Sequence, residues 1–293
     1  MSCYLSTSCF GNTLVSDAIR NCHNLGTKNI ELSAPHKFQN INNLEKELYK
    51  YNDNGFFFTL HNYFPTPEKS FVLNLATNDE LSMESNLNLI ENVKRLCLAS
   101  KSPLYGIHAG YLRQAKPSND GMFIFEKESI SYSKALNLSV AFVNKIAPSF
   151  EELGLKLLIE NLFPSPKIKH SLFCSFEEIS EYMSQIPKSV GILLDLAHMK
   201  ISSNIYGFNK DLFLESFMMN FADRLYEVHI SDNDGIKDQH LGIKENSWVI
   251  NAIKLIKQDN SLIDLERIFC LECHNASTDQ ITKSLNLINQ IIA

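Results

Sequence analysis

Tryptophan occurs once in this chain of 293 residues, and arginine occurs only five times (Arg20, Arg95, Arg113, Arg224 and Arg267) among 27 basic residues. With a net charge of −6, that scarcity argues against a dedicated nucleic-acid binder, which carries clustered arginine on a basic face. No apolar run approaches the ~18 residues of a membrane helix. The first basic residue is Arg20, so residues 1–19 lack the charged start of a secretory signal. The seven cysteines (Cys3, Cys9, Cys22, Cys97, Cys174, Cys270 and Cys273) are odd in number, and only Cys270 and Cys273 have C-x-x-C spacing. A reduced, cytoplasmic chain without a disulfide framework is the simplest reading. Low-complexity segments, Gly/Ser linkers and charge blocks are also missing, so residues 1–293 read as one domain. The first strand runs into Cys9-Phe10-Gly11-Asn12, which is no glycine-rich phosphate turn, and this argues against an open doubly wound sheet.

What is present suits a folded α/β protein. Hydrophobic residues make up 44% and charged residues 20%, which excludes disorder, collagen and coiled coil. Short β-branched or aromatic runs at 4–8, 29–32, 56–60, 104–107, 156–159, 191–194, 225–228 and 268–271 predict strands. Longer segments with helical periodicity lie between them, at 41–51, 82–101, 125–153, 176–186, 210–221 and 247–256. An earlier helix is marked by Leu14, Val15, Ala18, Ile19, Cys22 and Leu25 on one face, with Asn12 or Thr13 as cap and Gly26 as stop. The last helix carries Ile281, Leu285, Ile288 and Ile292 behind a Ser277…Gln280 capping box. Eight strands alternating with eight helices predict a single (β/α)8 TIM barrel over residues 1–293.

Barrels of this kind place chemistry where the strands end. Seven of the eight predicted strands carry an ionisable residue there: Glu31, His61, His108, Glu160, Asp195, His229 and Glu272. Carboxylates converging on one mouth repel each other unless a cation neutralises them. Mixed histidine and carboxylate donors suit a divalent cofactor such as Mn2+, Co2+, Zn2+ or Mg2+. Glu31 either orients a ligand histidine or faces water. Cys273 and Trp248 read as packing residues, and His23, His36 and His170 as structural or solvated. Arg113 is the one arginine in a loop leaving a strand's C-terminal end. If the substrate carries phosphate it is the best fixed clamp, with Lys116, Lys169, Lys237 and Lys244 as further candidates; a solvated loop arginine is the alternative.

The motifs Ile159-Glu160-Asn161, Leu194-Asp195-x-x-His198 and His229-Ile-Ser-Asp-Asn-Asp-Gly-Ile-Lys-Asp238-Gln-His240 resemble the xylose isomerase-like barrels. These comprise sugar and sugar-phosphate isomerases and epimerases, together with the endonuclease IV family of abasic-site nucleases. The resemblance implies that Glu160, Asp195, His229 and Glu272 hold one divalent metal. It also implies that Glu160 and Glu272 move a proton as base and acid. His61, His108, His198, Asp238 and His240 fall at the further positions of the nuclease's three-zinc constellation, where they bind either substrate or additional metal. Several departures favour the sugar branch. Glu160 continues as Asn161-Leu-Phe-Pro-Ser-Pro166, where the nucleases have a small Thr-Ala-Gly run. A single His240 replaces their paired histidines; after it, Lys244 and Asn246 stand in the glycine places of a pattern that both branches share, a departure from both. The loop His61-Asn-Tyr-Phe-Pro-Thr-Pro67 is aromatic and proline-stiffened, suited to stacking on a sugar. The expected function is metal-dependent isomerisation or epimerisation of a carbohydrate, with no nucleic-acid or membrane partner and with a homo-oligomer allowed. An abasic-site nuclease with a trinuclear zinc site is the alternative, and a non-catalytic carbohydrate-binding barrel the third.

Overall fold

A computed structural model describes residues 1–117, 123–165, 169–259 and 263–293. Pro166 of the run after Glu160 falls outside them. Eight parallel strands close into a barrel: β1 (Ser2–Ser6), β2 (Asn29–Leu32), β3 (Phe57–His61), β4 (Leu104–His108), β7 (Lys156–Glu160), β8 (Gly191–Asp195), β9 (Leu225–Ile230) and β10 (Ile268–Leu271). Closure comes from β10 pairing with both β9 and β1, in the order β1-β10-β9-β8-β7-β4-β3-β2. Two short strands outside the barrel, β5 (Ala115–Pro117) and β6 (Phe123–Phe125), form an antiparallel pair after β4. The helices are α1 (Val15–Asn24), α2 (Ile41–Asp53), α3 (Glu80–Ser100), α4 (Tyr132–Glu152), α5 (Phe176–Met183), α6 (Leu196–Tyr206), α7 (Lys210–Phe221), α8 (Trp248–Lys257) and α9 (Thr278–Ile292). Among the described residues no helix is long and apolar enough to cross a membrane.

The local chemistry behind these elements is simple. Side-chain oxygens of Asn40, Asp79, Ser131, Ser175, Asp195, Asn209, Ser247 and Ser277 accept backbone N–H groups at the starts of helices α2 to α9. The expected Ser277–Gln280 capping box is complete. Helix α1 departs from expectation: its cap is Leu14, not Asn12 or Thr13, and the Val15 N–H donates to Gln39 Oε1 at 3.0 Å. A long-range side chain thus does what a local one was expected to do.

Other boundaries moved for identifiable reasons. The first strand ends at Ser6 because Ser6 caps a 3-10 turn over Thr7–Phe10, accepting from the Ser8 N–H. The helix expected from residue 125 begins at Tyr132, since Phe123–Phe125 pairs with Ala115–Pro117 and Ser131 is the cap. Helix α6 was not expected. It is buried nearly all round, at Leu196, Ala197, His198, Met199, Ile201, Ser202 and Ser203, so no apolar stripe marks it in the sequence.

The barrel floor is apolar, built from Tyr4, Leu104, Leu158, Leu193, Tyr226, Ile268 and Cys270. Two glycines make this packing feasible. A Cβ on Gly191 would stand 2.4 Å from the Tyr226 ring, and one on Gly106 would stand 2.6 Å from Leu193 and 3.0 Å from the His61 ring. Above the floor lie the buried polar groups Glu31, Thr59 and Glu227, and above these the strand-end donors.

Candidate metal centre

Glu160, Asp195, His229 and Glu272 come from β7, β8, β9 and the residue after β10, and all lie within one buried cluster. His229 Nδ1 is its meeting point, 3.8 Å from Glu160 Oε1, 4.0 Å from Asp195 Oδ2 and 3.2 Å from Glu272 Oε2. Donors ~2.1 Å from a shared cation stand about 3–3.5 Å from one another, so this spacing is close to that of a ligand set. Exposure is 1% at Glu160, 1% at Asp195, 0% at His229 and 6% at Glu272. Within the cluster, Asp195 Oδ2 and His229 Nδ1 are buried without a hydrogen-bond partner. Orphaned polar atoms of this kind are costly, and two of them facing the same point fit a divalent cation. The donor set therefore fits the expected metal.

The expected outer residues sort into two further groups. Glu160 Oε2 accepts from His61 Nε2 at 2.7 Å and stands 3.0 Å from His108 Nε2, so this carboxylate faces two groups at once. Asp238 Oδ2 lies 3.3 Å from His198 Nε2 and 2.8 Å from His240 Nε2. His198 joins this third group to the central one, with Nδ1 3.4 Å from Glu160 Oε1. Lys244 and Asn246 both keep a negative φ, so the glycines missing there are not needed. It is His240 that adopts the left-handed conformation, at φ 45°.

Neighbouring side chains fix the donors. The Asn161 amide clamps the ends of β7 and β8, accepting from the Asp195 N–H at 2.6 Å and donating to the Asp195 carbonyl at 3.0 Å. Asp195 Oδ1 accepts from the His198 N–H at 2.7 Å, so the same residue is strand end, helix cap and candidate ligand. His108 Nδ1 meets the Tyr111 hydroxyl at 2.6 Å, and His61 Nδ1 meets Ser33 Oγ at 3.2 Å. Glu272 Oε1 is held by Ser8 Oγ at 3.3 Å and by His274 Nε2 at 3.1 Å, while His274 stacks on His240 at 3.9 Å. Below them the Glu31 carboxylate accepts from His229 Nε2 at 2.7 Å.

Electrostatics follow from this crowding. Burial opposes ionisation of Glu160, but His108 and His61 hold it well below the usual carboxylate range. Glu272 is likewise held low, against burial, by His229, His274 and His240. Asp195 is pushed up to about 6 by burial and by the charges of Glu160 and Asp238, with His198 and His229 opposing. His229 is raised well above its ordinary value by Glu31 and Glu272, against burial, which pulls it down.

The remaining expected residues are elsewhere. Arg113 Nη1 donates to the backbone carbonyls of Glu126 (2.9 Å) and Lys127, which engages it at the base of the β5–β6 pair. Lys116 pairs with Glu126 and Lys169 with Glu178. His23 packs edge-on against Phe56, His170 stacks on Phe125, and Trp248 Nε1 donates to Asp211. His36 is buried with Nε2 2.9 Å from Thr7 Oγ1, and Cys273 is buried 3.9 Å from Cys9. Sequence reasoning missed Glu227, buried two residues before His229, where it accepts from Thr59 Oγ1 at 3.2 Å. The signal was available: strand alternation puts residues 227 and 229 on one face. It also left the roles of Ser8, Ser33, Tyr111 and His274 unassigned.

Comparison with known proteins agrees with this architecture. Two uncharacterised proteins of Methanocaldococcus jannaschii are similar in sequence. One is 28% identical over 203 residues, covering 66% of this chain and 68% of its own. The other is 23% identical over 227 residues, covering 75% and 69%. Among solved structures, a D-tagatose 3-epimerase-like protein superposes with a TM-score of 0.75 at 19% identity, covering 100% of both chains. D-psicose 3-epimerase of Clostridium cellulolyticum H10 with D-tagatose gives 0.69 at 14% identity, covering 100% and 99%. The IolI protein with a bound zinc atom gives 0.68 at 13% identity, covering 100% and 98%. A profile described as the xylose isomerase-like TIM barrel matches residues 17–291, and with the closed eight-stranded barrel it establishes that this chain belongs to that family.

Proposed function

We propose that this barrel is a divalent-metal-dependent isomerase or epimerase acting on a sugar or sugar phosphate by proton transfer at carbon. The observation that carries the reading is the cluster around His229 Nδ1, where three carboxylates converge on one buried imidazole. A cation held by Glu160, Asp195, His229 and Glu272 would supply the Lewis acidity that makes a carbon beside a carbonyl acidic. The chain supplies the rest. Glu160 and Glu272 are the candidate proton-transfer pair: the one that is ionised takes the carbon-bound proton, the other, having taken a proton from solvent beforehand, returns one to carbon, and exchange with solvent resets both. Tyr63, 5.7 Å from the His108 ring, and Phe163, 4.8 Å from the His198 ring, form apolar walls beside the donors. Such walls suit a compact substrate and exclude water from the reacting carbon. Solved neighbours named as a D-tagatose 3-epimerase-like protein and as D-psicose 3-epimerase with D-tagatose support a ketose as substrate.

The arrangement of donors in three groups favours a second reading. Groups at His61/His108/Glu160, at Glu160/Asp195/His229/Glu272 and at His198/Asp238/His240 are what a trinuclear abasic-site nuclease requires. One pair of assays separates the two. NMR should reveal solvent deuterium entering carbon of a ketose or ketose phosphate with Mn2+ or Co2+, and no incision of abasic duplex DNA at the same enzyme concentration. Incision abolished by Glu272→Gln, with no exchange across a broad sugar panel, would install the nuclease instead.

A further inference from the structure

Glu31 sits at the end of β2, across the barrel interior from β9, with 0% of its surface exposed. Its Oε2 accepts from His229 Nε2 at 2.7 Å, and its Oε1 has no hydrogen-bond partner. A carboxylate buried this completely is expensive, and one hydrogen bond does not offset the cost. Packing alone would be better served there by an aliphatic side chain such as those of Ile30 and Leu32 on either side. What the carboxylate does provide is direction. With Oε2 as the acceptor across this 2.7 Å contact, the hydrogen sits on Nε2. That leaves Nδ1 as the nitrogen turned toward Glu160, Asp195 and Glu272. Below this contact, Glu227 is anchored by Thr59 of β3, so the polar layer beneath the donors draws on β2, β3 and β9 together.

We infer that Glu31 is a positioning residue for the metal centre: it locks the His229 ring with Nε2–H pointing down into the barrel and Nδ1 presented as the donor. The inference rests on the reading of His229 as a metal ligand given above, and it needs no assumption about the sugar. Partners of this kind orient ligand histidines and raise their basicity, and losing one typically costs 10–100-fold in metal affinity.

The test uses the full chain and Zn2+ as the probe, with affinity measured by competition against a fluorescent chelator. Glu31→Gln keeps an acceptor but removes the charge, and Glu31→Leu removes both. Affinity should fall about 10-fold for the first and about 100-fold for the second. In 15N-histidine-labelled, Zn2+-loaded protein, the strongly hydrogen-bonded Nε2–H resonance of His229 should be present in wild type and Glu31→Gln and lost in Glu31→Leu. A purely structural role would not move that signal selectively. If Glu31→Leu fails to fold, Glu31→Gln with an unchanged melt decides the matter. A folded variant with affinity within twofold of wild type and an intact Nε2–H resonance overturns the inference. His229→Asn is the control: if it binds Zn2+ as tightly as wild type, the ligand assignment itself has failed, separately from Glu31.

Discussion

Asp195 shows how much one side chain can be asked to do. Its Oδ1 caps α6 through the His198 N–H, while its Oδ2 is buried and unpartnered beside two other carboxylates. Asparagine caps helices as well as aspartate does, so the two roles are separable by mutation. Asp195→Asn should leave the melting temperature of metal-free protein unchanged or raised, because a buried charge is removed. Metal affinity should fall at least tenfold, as read by calorimetric titration. Asp195→Ala should lose affinity similarly and also about 1 kcal/mol of stability, the usual cost of an uncapped helix. Equal stability of the two variants would show that the cap contributes nothing.

His36 illustrates the opposite case, a histidine whose role is structural. Burial lowers it from 6.5 to about 4, so it stays neutral in the fold when an unfolded chain would already be charged. Between those two values the unfolded state binds more protons, and stability is lost as pH falls from 6.5 toward 4. The full effect is at most roughly 3 kcal/mol. In His36→Gln this share of the acid limb should vanish, visible as a flatter dependence of urea midpoint on pH than in wild type.

At the scale of elements, legibility in the sequence depended on whether an element has two distinguishable sides. Helix α9, with Ile281, Leu285, Ile288 and Ile292 buried in register behind a complete capping box, could be read residue by residue. Helix α6 could not, because it is wedged between β8 and its neighbours and buried on most faces. The strand-end donors were legible since strand termini in a parallel barrel all meet at one rim, which makes chain position a proxy for place. What lay one layer deeper was passed over because Thr59 and Glu227 stand inside their strands and not at the rim, although Glu227 shares a strand face with His229. The β5–β6 pair was missed because three-residue strands carry too little periodicity to recognise.

That pair also carries a prediction about Arg113. With its guanidinium donating to the carbonyls of Glu126 and Lys127, it reads here as a brace for the chain leaving β6. Arg113→Ala should raise hydrogen–deuterium exchange at residues 115–117 and 123–127 while leaving the barrel strands protected. If instead exchange is unchanged and KM rises only for phosphorylated sugars, Arg113 acts as the phosphate clamp.

For the whole molecule, the mouth gathers the carboxylates and histidines of four strand ends into one buried cluster. Anything that binds only the folded state stabilises it, by about 2.7 kcal/mol at a hundredfold excess over Kd. For a domain of this size, that is a rise of roughly 4 °C in melting temperature. Adding Mn2+ or Zn2+ to chelator-treated protein should produce such a rise, and Glu160→Gln should reduce it sharply because that carboxylate serves two donor groups. An equal metal-induced shift in wild type and Glu160→Gln would place the bound ion outside the strand-end cluster.

The seam where β10 meets β1 has a consequence for biosynthesis. Ser8 and Glu272 touch across 264 residues of sequence, and β10 completes the sheet by inserting between β9 and β1. A nascent chain emerging from the ribosome therefore displays His61, His108, Glu160, Asp195 and His229 well before the final carboxylate exists. The full set of candidate donors therefore comes together only when β10 closes the sheet between β9 and β1.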